Sequence, residues 1–108
     1  MAEYRSPAWT FLTNHAQVLV CIAQDPGIRL REISERVGIT ERAVHRIVVE
    51  LAAGGYITRE RTGRRTRYAI RADLPVPDPV ASHQSVGALL EVLTGAIGGR
   101  PAAPTPGS

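Results

Sequence analysis

Apolar residues recur along this chain at helical spacing, then at alternating spacing, then at helical spacing again. Ala16, Leu19, Val20 and Ala23 fall along one side of a helix, with Val18 and Ile22 widening the stripe. The spacing predicts a largely buried helix over 14–24, with Thr13 as its N-cap and Asp25-Pro26-Gly27 as its stop. Ile28-Arg29-Leu30 reads as a brief extended piece, a natural place for a short strand. Leu30, Ile33 and Val37, at i, i+3 and i+7, predict a second helix. Gly38 closes it, where the chain turns through positive φ. Ile39 plugs the turn, Thr40 is an N-cap, and Glu41 sits by the positive end of the next helix dipole. That third helix, 41–53, buries Val44, Ile47, Val48 and Leu51 and turns Glu41, Arg42, His45, Arg46 and Val49 outward.

Gly54-Gly55 stops the third helix, and the pattern changes period. Tyr56 to Arg61 and Thr66 to Arg71 are β-prone and roughly alternating, joined by a turn at Thr62-Gly63-Arg64-Arg65. The inward set of this hairpin is Tyr56 or Ile57 on one strand, with Tyr68 and Ile70 on the other. Its tip and outward face carry Arg59, Arg61, Arg64, Arg65 and Arg67. Prolines at 75, 77 and 79 then predict an extended linker. A last helix, from Ser82 or Ser85 to Ile97, has Val86, Leu89, Leu90, Val92, Leu93 and Ile97 apolar, and Gly98-Gly99 ends it. That face is too apolar for water on both sides, so it packs on its own domain or on a second chain. The second reading is preferred. Arg100 to Ser108 is rich in Pro, Ala and Gly and is expected to be disordered.

These elements divide the chain into an arm (1–12), a helix-turn-helix domain with its hairpin (13–72), a Pro-rich linker (73–84), a packing or dimerisation helix (85–97) and a tail (98–108). One domain is what 108 residues allow. A hydrophobic content of 44% supports a core, and with five aromatic residues that core must be aliphatic. No apolar run approaches a membrane span. The N-terminus lacks the layout of a signal peptide, so a cytoplasmic protein is expected.

Charge changes the picture more than composition does. All thirteen basic residues are Arg. Between Arg29 and Arg71, eleven Arg face five Glu, a net of +6, while the rest of the chain carries −3. The concentration of positive charge in the middle is the footprint of a polyanion-binding surface. Cys21 is the sole cysteine and sits among Val18, Leu19, Val20 and Ile22, which reads as a buried small hydrophobe. His15, His45 and His83 are isolated, so no metal site is expected. No phosphate loop, nucleophile elbow or paired carboxylate is present, so neither a cofactor nor an enzyme activity is expected.

Ser34, Gly38, Val44 and Ile47 have the spacing of a helix-turn-helix, a small residue followed at fixed distances by Gly and two apolar positions. Followed by a Gly-Gly stop and an Arg-rich hairpin, the stretch resembles the winged-helix fold, in the order α-β-α-α-β-β plus a C-terminal helix. It is mainly α with a small β-hairpin. From Leu12 to Ile70 it is similar to the DNA-binding part of MarR-type transcriptional regulators. The matching residues are Val18-Leu19, Leu30-Arg31-Glu32-Ile33, Thr40 through Arg46, Leu51, Gly55-Tyr56-Ile57 and Gly63-Arg64-Arg65. The LTNHA, GITERA and GRR stretches also resemble small actinobacterial-type winged-helix proteins. With about a dozen residues before the first helix and one modest helix after the hairpin, the long outer helices that form the dimer and ligand pocket in full-length MarR proteins are not expected in this stretch.

The resemblance implies a sequence-specific regulator of transcription that binds double-stranded DNA as a homodimer, with any small-molecule effector unknown. Its recognition helix would lie in the major groove, with Thr40, Glu41, Arg42, Ala43, His45 and Arg46 at the DNA. Arg42 and Arg46 share a face and can each address guanine O6 and N7, or hold phosphate, or, for Arg46, pair with Glu50 at i+4. The wing, 58–68, would place Arg64 and Arg65 at the adjacent minor groove and Arg59, Arg61 and Arg67 along phosphates. Val86, Leu89, Leu90, Leu93 and Ile97 would form the dimer contact. The alternative is a winged-helix module for protein–protein contact that does not read DNA.

Overall fold

A computed structural model of the chain describes residues 8–95. Four helices and one hairpin follow in the order α1 (Asn14–Gln24), α2 (Leu30–Val37), α3 (Glu41–Ala53), β1 (Ile57–Thr62), β2 (Arg65–Ile70) and α4 (Val86–Thr94). This is the mainly helical arrangement expected of a winged helix-turn-helix. Thr13 caps α1, its Oγ1 accepting from Ala16 N at 3.1 Å. Val18, Leu19, Cys21 and Ile22 are its buried residues, while Ala16, Val20 and Ala23 are only half-buried. The stripe centre is therefore rotated from the one expected, toward the larger side chains. Those gain more from leaving water than alanines do.

The short strand expected at 28–30 does not form. Ile28 N donates to Asp25 O and Arg29 N to the Glu32 carboxylate, at 3.0 and 3.1 Å, while Leu30 already opens α2. Both amides that would pair with a strand are thus engaged locally. One rung survives: Tyr68 N donates to the Pro26 carbonyl at 2.9 Å, tying β2 to the α1–α2 turn. Pro26 has no N–H with which to return it.

One cluster holds the core. Ile22, Ile33, Val44, Val48, Ile57 and Val86 contribute from α1, α2, α3, β1 and α4, and Tyr68 from β2. The segment expected as an extended linker closes on itself instead. Val76 N donates to Gln84 O at 2.9 Å, Pro75 and Ser85 form an isolated bridge, and Val76 is buried. Val86 N and Gly87 N then donate to Leu74 O and Ala72 O, at 2.8 and 2.9 Å. The prolines forbid helix as anticipated. The amides of Val76, Val86 and Gly87 supply the pairing that pulls α4 back.

α4 packs against α1, with Val86 and Leu90 in the core. Its C-terminus is Gly95 at φ 65, whose N–H donates to Glu91 O, rather than the Gly98-Gly99 pair expected. Ile97 and the tail lie outside the described residues.

Gly87 marks the closest approach. An added Cβ would stand 2.8 Å from Ala72 Cβ and 3.1 Å from Ala72 O. Gly87→Ala is expected to lower unfolding free energy by about 1–3 kcal/mol through overpacking, outweighing the gain of roughly 1 kcal/mol in helix propensity. Urea unfolding would measure it, and adding Ala72→Gly should recover most of the loss.

Candidate nucleic-acid interface

The turn that aims α3 is built on two residues. Gly38 ends α2 at φ 86 and ψ 33, donating to Ser34 O at 2.8 Å, and Ile39 N donates to the same carbonyl at 3.2 Å. Thr40 then opens α3, its Oγ1 accepting from Ala43 N at 3.0 Å. Ser34 is half-buried, its hydroxyl donating to Arg31 O at 2.8 Å.

α3 then divides cleanly. Val44, Ile47, Val48 and Leu51 are buried as expected, and Thr40, Glu41, Arg42, His45 and Arg46 are exposed, with Ala43 between the two. Glu50, a possible partner for Arg46, is engaged elsewhere: its Oε1 lies 2.7 Å from His15 Nε2. This contact joins α1 to α3 across 35 residues of sequence, beyond the reach of any local spacing rule. Arg42, His45 and Arg46 make no hydrogen bond or ion pair among the described residues.

Three other arginines are engaged where they stand, two of them by carboxylates. Arg31 pairs with Glu35 at 3.7 Å, Arg36 donates to Gln24 at 2.6 Å, and Arg71 to Asp73 at 3.2 Å. The Arg71 hydrogen bond holds the Asp73 carboxyl below its ordinary range. Among the described residues, the cations without a carboxylate partner are those of α3 and the hairpin together with Arg29 and Arg36.

Strand register corrects the expected layout of the wing. Ile57 pairs with Ile70, Arg59 with Tyr68 and Arg61 with Thr66, so Arg59 and Arg61 share a face with core-facing Ile57 and Tyr68. Thr62 opposite Arg65 and Glu60 opposite Arg67 lie on the other face. All five arginines are exposed, but they flank the hairpin on both sides rather than lining one. Arg59 lies near enough to Tyr68 to oppose the rise that burial imposes on its phenol. Arg64 is at the tip beside Gly63, whose φ is 62. Arg65 reaches back: an added Cβ on Gly27 would stand 3.5 Å from its Nη2.

The residues expected to form a dimer contact separate as well. Val86 and Leu90 are buried core residues. Leu89 and Leu93 are half-buried, and all four line a groove of about 530 Å³ between α1 and α4, with Phe11, Leu12, Ala16 and Tyr56. Sequence spacing alone does not tell the two pairs apart.

Residues 10–67, from just before α1 to within β2, match the MarR family model. The chain belongs to the MarR family. Its broad class is therefore that of a DNA-binding transcriptional regulator. Among solved structures, the MarR-type chain is similar to a predicted DNA-binding transcriptional regulator from E. coli, at 18% identity and a TM-score of 0.53. The match covers 75% of this chain and 74% of that one, and speaks for the fold. Among curated protein sequences, none matches this chain. No described helix is long and apolar enough to cross a membrane, and no group of described His, Cys, Asp or Glu could hold a metal ion. Cys21 is buried, and burial pushes its thiol up, away from the reactive thiolate.

Nothing lies within 4 Å of an added Cβ on Gly38, so a substitution there costs backbone conformation alone. Gly38→Ala should lose about 1–2 kcal/mol of stability from the left-handed backbone. Gly38→Asn should lose less, because Asn tolerates that region. Thermal unfolding of the two variants compares them directly.

Proposed function

We propose that this MarR-family chain is a sequence-specific regulator that reads double-stranded DNA with α3 in the major groove. The observation that carries the reading is the cationic face of α3. Arg42 and Arg46 are exposed with no internal partner, while the nearby Glu50 carboxylate is held by His15. Guanidinium groups left free in this way can take guanine O6 and N7 bidentately. Exposed Glu41 can accept from a cytosine amine, and the Thr40 hydroxyl and His45 can reach phosphate. Ala43, half-buried, limits how closely the helix seats.

The wing lies on the adjacent minor groove and backbone. Arg64 at the tip enters the groove. Arg59 and Arg61 on one flank, and Arg67 on the other, address phosphates on either side. Arg65 acts from beside the α1–α2 turn. The functional unit is a homodimer whose contact is the groove edge, Leu89 and Leu93 with Phe11, extended by Val92, which is 75% exposed. Two copies double the phosphate contacts and read two half-sites.

Binding to a duplex enriched from a random library, followed by fluorescence anisotropy across a salt series, tests the reading. Log affinity should fall against log salt with a slope near 0.9 per phosphate neutralised. Arg46→Ala should cost about 1–3 kcal/mol at one base position and relax discrimination there. Arg64→Ala should weaken all duplexes alike and reduce the slope by roughly one per half-site. Absence of duplex binding at low salt would favour the protein–protein module instead. Sedimentation equilibrium tests the dimer: Leu93→Glu should give a monomer that remains folded.

A further inference from the structure

Val49 stands apart on α3. It is 44% exposed, on the face that also carries Arg42, His45 and Arg46, at i+7, i+4 and i+3 from them. Scattered apolar residues on a surface need no special account, but this one occupies an unusual place. A β-branched residue in mid-helix adds little helix propensity, and one turned from the core adds no packing there. Its downstream neighbours on the same side, Ala52 and Ala53, are small. Glu50, the adjacent charge, has its carboxylate turned to His15 at 2.7 Å. The carboxylate next to Val49 is thus drawn toward α1.

We propose that Val49 is a specificity-determining residue that contacts the C5-methyl group of a thymine in the major groove. The assignment rests on the reading of α3 as the recognition helix. Thymine is the one natural base that presents a methyl group in that groove, and an apolar side chain is the group that reads it. Val49 lies roughly 10 Å along the helix axis from Arg42, about three base-pair steps. A helix aligned with the groove would thus set Arg42 and Val49 on different base pairs, with Arg46 between them. The side chain is stiff at χ1, so its methyls are presented with little loss of freedom on binding.

The probe is the duplex that the wild-type protein enriches from a random library, with each thymine in turn replaced by deoxyuridine, which lacks only the methyl. Affinities of wild type and Val49→Ala are compared by fluorescence anisotropy, with melting temperature as the check that the exposed substitution leaves the fold intact. At one thymine, or its symmetry mate, wild type should lose about fourfold on removal of the methyl, the worth of one buried methyl-sized group. Val49→Ala should bind both forms of that site equally and keep its preferences elsewhere. An enriched site with no methyl-sensitive thymine overturns the assignment, as does an equal loss in wild type and variant. If no sequence is enriched, the reading of α3 as a recognition helix falls, and the assignment with it.

Discussion

Val44, Ile47, Val48 and Leu51 hold one side of α3 in a cluster to which α1, α2, both strands and α4 also contribute. Burying a side chain of this size is worth about 1.5–3 kcal/mol, whereas an exposed hydrogen bond such as His15–Glu50 contributes about 1 kcal/mol. Packing therefore fixes where α3 lies, and the polar contacts only trim it. Because that side is committed to the core, the opposite side is committed to solvent. Arg42, His45, Arg46 and Val49 are outward for the same reason that Val44, Ile47, Val48 and Leu51 are inward.

The electrostatic surface follows from this geometry together with a selective pairing of charge. Arginines on α2 and after β2 have partners in Glu35, Gln24 and Asp73. Those on α3 and the hairpin have none among the described residues. A net positive chain could have spread its unpaired charge evenly. Here carboxylates take up Arg31 and Arg71, and most of the charge left unpaired stands on α3 and the projecting hairpin.

The C-terminal part shows how an apolar helix can serve two sides at once. α4 gives Val86 and Leu90 to the core, which fixes it on α1, and leaves Leu89 and Leu93 beside a groove. Turn-by-turn hydrogen bonds through Ala72, Leu74, Val76 and Gln84 hold the intervening prolines in a closed loop. What had the composition of a tether is a clasp.

Much of this was legible in the residues themselves. Local rules suffice for Thr13 and Thr40 as caps, Gly38 as the turn, the buried set of α3 and the two-strand hairpin, because each depends on neighbours within one or two turns of chain. The MarR-type arrangement could be read from those parts in order. Contacts between distant residues were beyond such rules. The His15–Glu50 bond and the difference in burial between Val86 and Leu90 and Leu89 and Leu93 depend on which elements meet in space. So does the placing of Arg59 and Arg61 on the opposite flank from Arg65 and Arg67, since period-two alternation gives two faces but only strand pairing against the core says which is which. Sequence determined that a cationic helix and a cationic hairpin would exist; the tertiary structure decided which of their charges stand free.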